Sequence, residues 1–159
     1  MLFAAAFALA HTLLAILWFD ILSGSALLVV GLASVIVYGV LLAYVHEGAH
    51  FVAAKLAGAQ DVKLHASTKG FSVTYALHDF PLRLLAISLA GPLSGVVYGT
   101  LGLIAAGSWQ QAHPVWATWV AMISIIACLQ AVLLLPFVAD GNMFWTSLWN
   151  IIMRKKGTS

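Results

Sequence analysis

The stretch ASVIVYGVLLAYVHEGAHF, Ala33–Phe51, decides how this chain is read, because an almost uncharged apolar run ends in His46-Glu47-Gly48-Ala49-His50. An apolar run of about 20 residues has the length of a membrane-spanning helix. On a helix, positions i and i+4 share one face about 5–6 Å apart, so His46 and His50 are placed to offer two imidazoles to one metal ion. Glu47 is rotated about 100° from His46, beside the metal, where a carboxylate can take a proton from a zinc-activated water. The run therefore points to half of a zinc site with a neighbouring general base.

The rest of the chain agrees with a membrane setting. Of its 159 residues, 63% are hydrophobic and 8% charged, against about 25% charged in ordinary globular domains. The length suits one all-α membrane domain, residues 1–159, a bundle of about four spans without a separate soluble module. A regulatory function would then reside in a separate membrane protein. The formal charge of +2 forms no basic stripe, so nucleic acid is not an expected partner. Cys128 is the single cysteine and lies in an apolar run, which excludes an intrachain disulfide and suits packing.

Four apolar segments read as spans: Leu2 to Leu22, Ala26 to about Phe51, Leu82 to Ala106 and Val115 to Ala139. The first lacks the basic n-region and A-x-A site of a signal peptide. Between spans two and three, Val62, Leu64 and Ala66 alternate with polar residues, as do Phe71, Val73, Tyr75 and Leu77 after Thr68-Lys69-Gly70. Period-2 alternation around a Gly-containing turn predicts a short β-hairpin. Lys55, Lys63, Lys69 and Arg83 flank or occupy that loop, and Arg154, Lys155 and Lys156 close the chain, whereas the other two connections carry no lysine or arginine. This bias places the loop and both termini on the cytoplasmic side, the bilayer being that of the cell membrane.

Catalytic zinc usually takes three protein ligands, so a third is needed beside the histidines. Asp140 is the only carboxylate in the last 80 residues and ends the fourth apolar segment, which runs in the same direction as the second. A carboxylate there is costly unless it is used. His11, His65, His78 and His113 are assigned no metal role. Beyond Asp140, Phe144, Trp145, Leu148, Trp149 and Ile152 recur at helical spacing ahead of the basic tail, as in an amphipathic helix, 142–156, lying on anionic lipid.

These motifs resemble the site-2 protease family of intramembrane zinc metalloproteases. The likeness rests on His46-Glu47-Gly48-Ala49-His50, on Asp140-Gly141, on Ala90-Gly91-Pro92-Leu93-Ser94-Gly95, which is similar to the family's A-G-P element, and on Leu134-Leu135-Pro136. It covers a three-span core of roughly residues 28–145, leaving an extra first span and the tail outside. It implies a zinc-dependent metalloendopeptidase with one Zn2+ per chain held by His46, His50 and Asp140, with Glu47 catalytic. The implied substrate is a membrane protein cut in or near its transmembrane segment, with the hairpin edge capturing the unwound strand. Gly91, Pro92 and Gly95 are candidate substrate contacts, as is Asn142 by its nearness to Asp140. The chain departs from the family pattern at Gly95 and Leu133, where asparagines are common, and in the four-residue step from Pro136 to Asp140, usually five. The alternatives are a zinc transporter or sensor, and an inactive relative that binds transmembrane helices.

Overall fold

The structure is a computed structural model that describes residues 24–67, 70–77 and 80–156. In order it contains α1 (Gly24–Leu56), β1 (Gln60–Ser67), β2 (Gly70–Ala76), α2 (Pro81–Trp109), α3 (Pro114–Cys128), a 3₁₀ segment (Leu129–Leu134) and α4 (Ala139–Lys156). Three stretches are long and apolar enough to cross a membrane: Val29–Leu56, Pro81–Trp109 and Pro114–Leu134. This is consistent with a membrane protein. The expected first span, Leu2 to Leu22, lies outside the described residues, as do His11 and His78.

The described chain forms two compact units, one of residues up to Leu42 with Val97–Cys128, the other of Ala43–Val96 with Leu129 onward. In the first, Trp116 is buried against Val30, Val115, Trp119 and Val120. All the residues of the motifs read from the sequence belong to the second.

Within that second unit α1 runs on past the expected end at Phe51. The helix stops at Leu56 because Gly58 adopts φ +75°, a left-handed conformation without steric cost for glycine. The cap is a Schellman arrangement: Ala59 N–H donates to Ala54 O at 3.0 Å and Gly58 N–H to Lys55 O at 3.0 Å. The chain then enters the antiparallel hairpin, with Leu64 opposite Val73 and Ser67 opposite Gly70. A bulge between Gln60 and Lys63 places Asp61 at φ 51°, and aspartate is among the few residues that tolerate it.

An isolated hairpin is marginal in water, and this one has a platform to rest on. Along β2 the burial alternates strictly, with Phe71, Val73 and Tyr75 on the half-buried face. Val62, Val73, Tyr75 and Leu77 pack with Ala54 from α1, Ile87 from α2 and Met143 from α4. Phe71 also meets Tyr44 edge to face at 5.3 Å. The hairpin thus ties three helices together at one place.

The fourth apolar segment departs from expectation. It is α-helical only to Cys128, tightens to 3₁₀ over Leu129–Leu134, and gives way to turns before α4 starts at Ala139. Pro136 supplies the reason for the turns, since it has no N–H to donate and disfavours helical geometry at Leu135. The backbone instead closes short turns, Leu135 N–H to Val132 O and Val138 N–H to Leu135 O, each 3.0 Å. Asp140 therefore does not end a span but occupies the first turn of a new helix.

Gly58→Ala should lower the thermal unfolding midpoint of the detergent-solubilised protein, because a Cβ in the left-handed region costs about 1–2 kcal/mol. Gly39→Ala, in open space on the same helix, should leave it unchanged or raise it.

Candidate metal centre

About one turn of α1 separates His46 from His50 and brings them to one face, as the i, i+4 spacing requires, and both are buried, with 6% and 5% exposure. Their rings meet edge to face, 4.7 Å between centroids. The outer ring nitrogens are anchored from other elements. His50 Nδ1 lies 2.7 Å from Ile87 O, and His46 Nδ1 lies 3.1 Å from Gln130 Oε1. A backbone carbonyl only accepts, so His50 Nδ1 carries the hydrogen and its Nε2 carries a lone pair. Gln130 Oε1 assigns the same tautomer to His46.

Both Nε2 atoms face Asp140. His46 Nε2 is 3.0 Å from Asp140 Oδ2, His50 Nε2 is 3.4 Å from it, and the two Nε2 atoms are 3.1 Å apart. Three lone-pair atoms at these separations, with their ring hydrogens directed elsewhere, repel one another unless a cation lies among them. A proton can serve when an imidazole is charged, and a metal serves without one. Bonds of about 2.0–2.1 Å at the tetrahedral angle would set ligand atoms roughly 3.3–3.4 Å apart. The observed spacings are within a few tenths of an ångström of that, so the residues present fit a small divalent ion. The chemistry of two imidazoles and one carboxylate suits zinc without being specific to it.

Asp140 is half-buried. Burial by itself would push its carboxyl up, but the adjoining His46 and His50, which donate to it and bear positive charge when an imidazole takes up a proton, outweigh it and hold the group well below the usual carboxylate range. It also sits in the first turn of α4, where the helix dipole favours an anion. Asp140 is therefore ionised at neutral pH. The neighbouring Gly141 is demanded by packing: a Cβ there would overlap Leu135 O and lie 2.6 Å from the Leu134 carbonyl carbon.

Gly91 lies against the histidines. A Cβ built at Gly91 would overlap His50 Nε2 and lie 2.6 Å from His46 Nε2, so only glycine leaves room for the imidazole pair. Pro92, fully buried inside α2, has no N–H to donate to Ser88 O, the carbonyl next in sequence to the Ile87 O that receives His50. Gly95 is buried and Asn142 exposed, its Oδ1 accepting from Thr146 Oγ1 at 3.3 Å. His65 is exposed and bonded to Thr74, not to the cluster.

A cleft of about 270 Å³ opens on the centre, lined by Glu47, His50 and Asp140 together with Ser72, Val73 and Tyr75 of β2. None of Gly91, Pro92, Gly95 or Asn142 is among its described lining residues. The Tyr75 hydroxyl donates to Met143 Sδ at 3.1 Å, and burial first and the charge of Asp140 second push its phenol above the ordinary value. The sequence reading missed Gln130, Ile87 O and Tyr75. Gln130 had a signal, being the one amide in an otherwise apolar run; the Ile87 carbonyl had none.

No family model, curated protein or solved structure gives a significant match to the chain.

Gly91→Ala should sharply reduce the metal content of purified protein by displacing both imidazoles. Gly48→Ala, inside the same motif but facing open space, should retain it. Elemental analysis of the two variants side by side checks this.

Proposed function

We propose that this chain is an intramembrane zinc metalloprotease of site-2 protease type, cleaving other membrane proteins in or near their transmembrane segments. The observation that carries the reading is the convergence of His46 Nε2, His50 Nε2 and Asp140 Oδ2 within 3.4 Å of one another, beside a cleft that Glu47 also lines. Among the described residues this is the one cluster of three or more metal-ligating side chains. A single buried centre is what hydrolysis requires, whereas transport favours several polar sites along a path.

His46, His50 and Asp140 would hold the ion. When bound, zinc supplies Lewis acidity, polarising a scissile carbonyl and acidifying water toward neutral pH. Glu47 then has the ordinary work of a general base: it accepts the proton of the attacking water and returns it to the leaving amine. A transmembrane helix hides its peptide bonds in its own hydrogen bonds, so a substrate must unwind before it is cut. The β2 strand, paired with β1 in a two-stranded sheet, contributes Ser72, Val73 and Tyr75 to the cleft and offers an edge for an extended segment. The Tyr75 hydroxyl, its hydrogen directed at Met143 Sδ, adds an acceptor oxygen to the same wall.

The distribution of lysine and arginine supports the orientation expected from the sequence, with the hairpin and the carboxyl terminus cytoplasmic. Reporters fused after Ser159 or inserted at Lys69 should be cytoplasmic and one at Gln111 external. Lys69 and Gln111 reporters on the same side would contradict it.

Glu47→Gln should keep the metal yet lower cleavage of a membrane substrate at least about 10²-fold, the lower range for loss of general acid–base catalysis. Asp140→Asn should weaken metal content and cleavage together. Cleavage by Glu47→Gln at the parent rate would contradict the mechanism, and metal flux that survives this substitution would favour transport instead.

A further inference from the structure

We propose that Gln130 is the positioning residue of the metal centre, its side-chain carbonyl fixing the tautomer and rotation of His46 so that Nε2 presents a lone pair to the ion. The inference rests on the metal-centre reading and deepens it.

Gln130 is the only amide, and with Cys128 the only side chain carrying a heteroatom, between Ser124 and Asp140, in a stretch apolar enough to cross a membrane up to Leu134. An amide there needs a partner, because lipid offers none. The partner is His46: Gln130 Oε1 lies 3.1 Å from His46 Nδ1, across 84 positions of sequence. The change from α-helix to 3₁₀ geometry occurs at Leu129, immediately before it.

An imidazole can ligate through Nε2 only when Nδ1 holds its hydrogen, and that choice is made by what faces Nδ1. For His50 the choice belongs to the Ile87 backbone carbonyl, which no side-chain substitution removes. For His46 it belongs to Gln130 alone among the contacts of that nitrogen in the described residues. Were the amide turned to present its NH2 group, Nδ1 would accept, and the hydrogen on Nε2 would point at Asp140 Oδ2, 3.0 Å away, blocking the site. Oxygen toward the ring is thus the orientation compatible with a loaded centre. The two histidines of one motif are held by unlike supports, one by main chain and one by a removable side chain.

The test measures metal affinity by competition with a chromophoric chelator, and the visible spectrum of the cobalt-substituted protein, for the parent, Gln130→Leu and Gln130→Glu. Gln130→Leu keeps similar bulk without the acceptor and should lose about 10–100-fold in zinc affinity and shift the cobalt spectrum. Gln130→Glu restores an acceptor for Nδ1–H and should bind at least as tightly as the parent. Parent-like affinity and spectrum in Gln130→Leu would overturn the proposal while leaving the metal centre intact. Equal weakening in both variants would assign Gln130 to the fold and also overturn it. A parent chain that binds no metal would remove the metal-centre reading and this one with it.

Discussion

The second unit of this molecule is organised around a repulsion that must be cancelled. Two imidazole nitrogens and one carboxylate oxygen, each presenting a lone pair, are held 3.0–3.4 Å apart. Several parts of the second unit can be understood as the means of holding them there. Gly91 leaves the space, Ile87 O receives the His50 ring, Gly141 lets the start of α4 lie against Leu134 and Leu135, and the hairpin binds α1, α2 and α4 into one support. Side chains fixed in advance would bind a metal without a further cost of ordering, the physical advantage of placing such a cluster on helices and not on loops.

Much of the centre was legible because its chemistry is local or rare. His46 and His50 are related by helix periodicity, and Asp140 stands alone as the carboxylate of the last 80 residues. The alternation of Val73 and Tyr75 with polar neighbours announced the hairpin, and β2 shows the expected alternation of burial. What stayed hidden depends on three-dimensional contact. The role of Ile87 is played by a backbone oxygen, which every residue possesses. Gln130 was readable as a polar residue in an apolar run, but its partner is 84 positions away. The extension of α1 to Leu56 followed from Gly58, a stop signal placed beyond the last apolar residues of the run. The break before Asp140 follows from Pro136, which hydropathy alone does not register.

Glycine and proline in the third apolar segment carry a different lesson. Their sequence pattern resembles an element associated with substrate, yet Gly91 lies against the histidine nitrogens and Pro92 is buried in its helix. What the structure shows of Gly91 is its contact with the two imidazoles. The cleft itself is walled by β2, so the strand that stabilises the helices also supplies the surface on which an extended segment would lie. One element thus links stability of the fold to access to the centre.

The measurement that tests the account most directly is X-ray absorption at the zinc edge of the purified, metal-replete chain. Two imidazole scatterers with Zn–N of about 2.0–2.1 Å, completed by oxygen and without sulfur, are the predicted shell. Sulfur in the shell, a shell without imidazole, or the absence of tightly held zinc would contradict it.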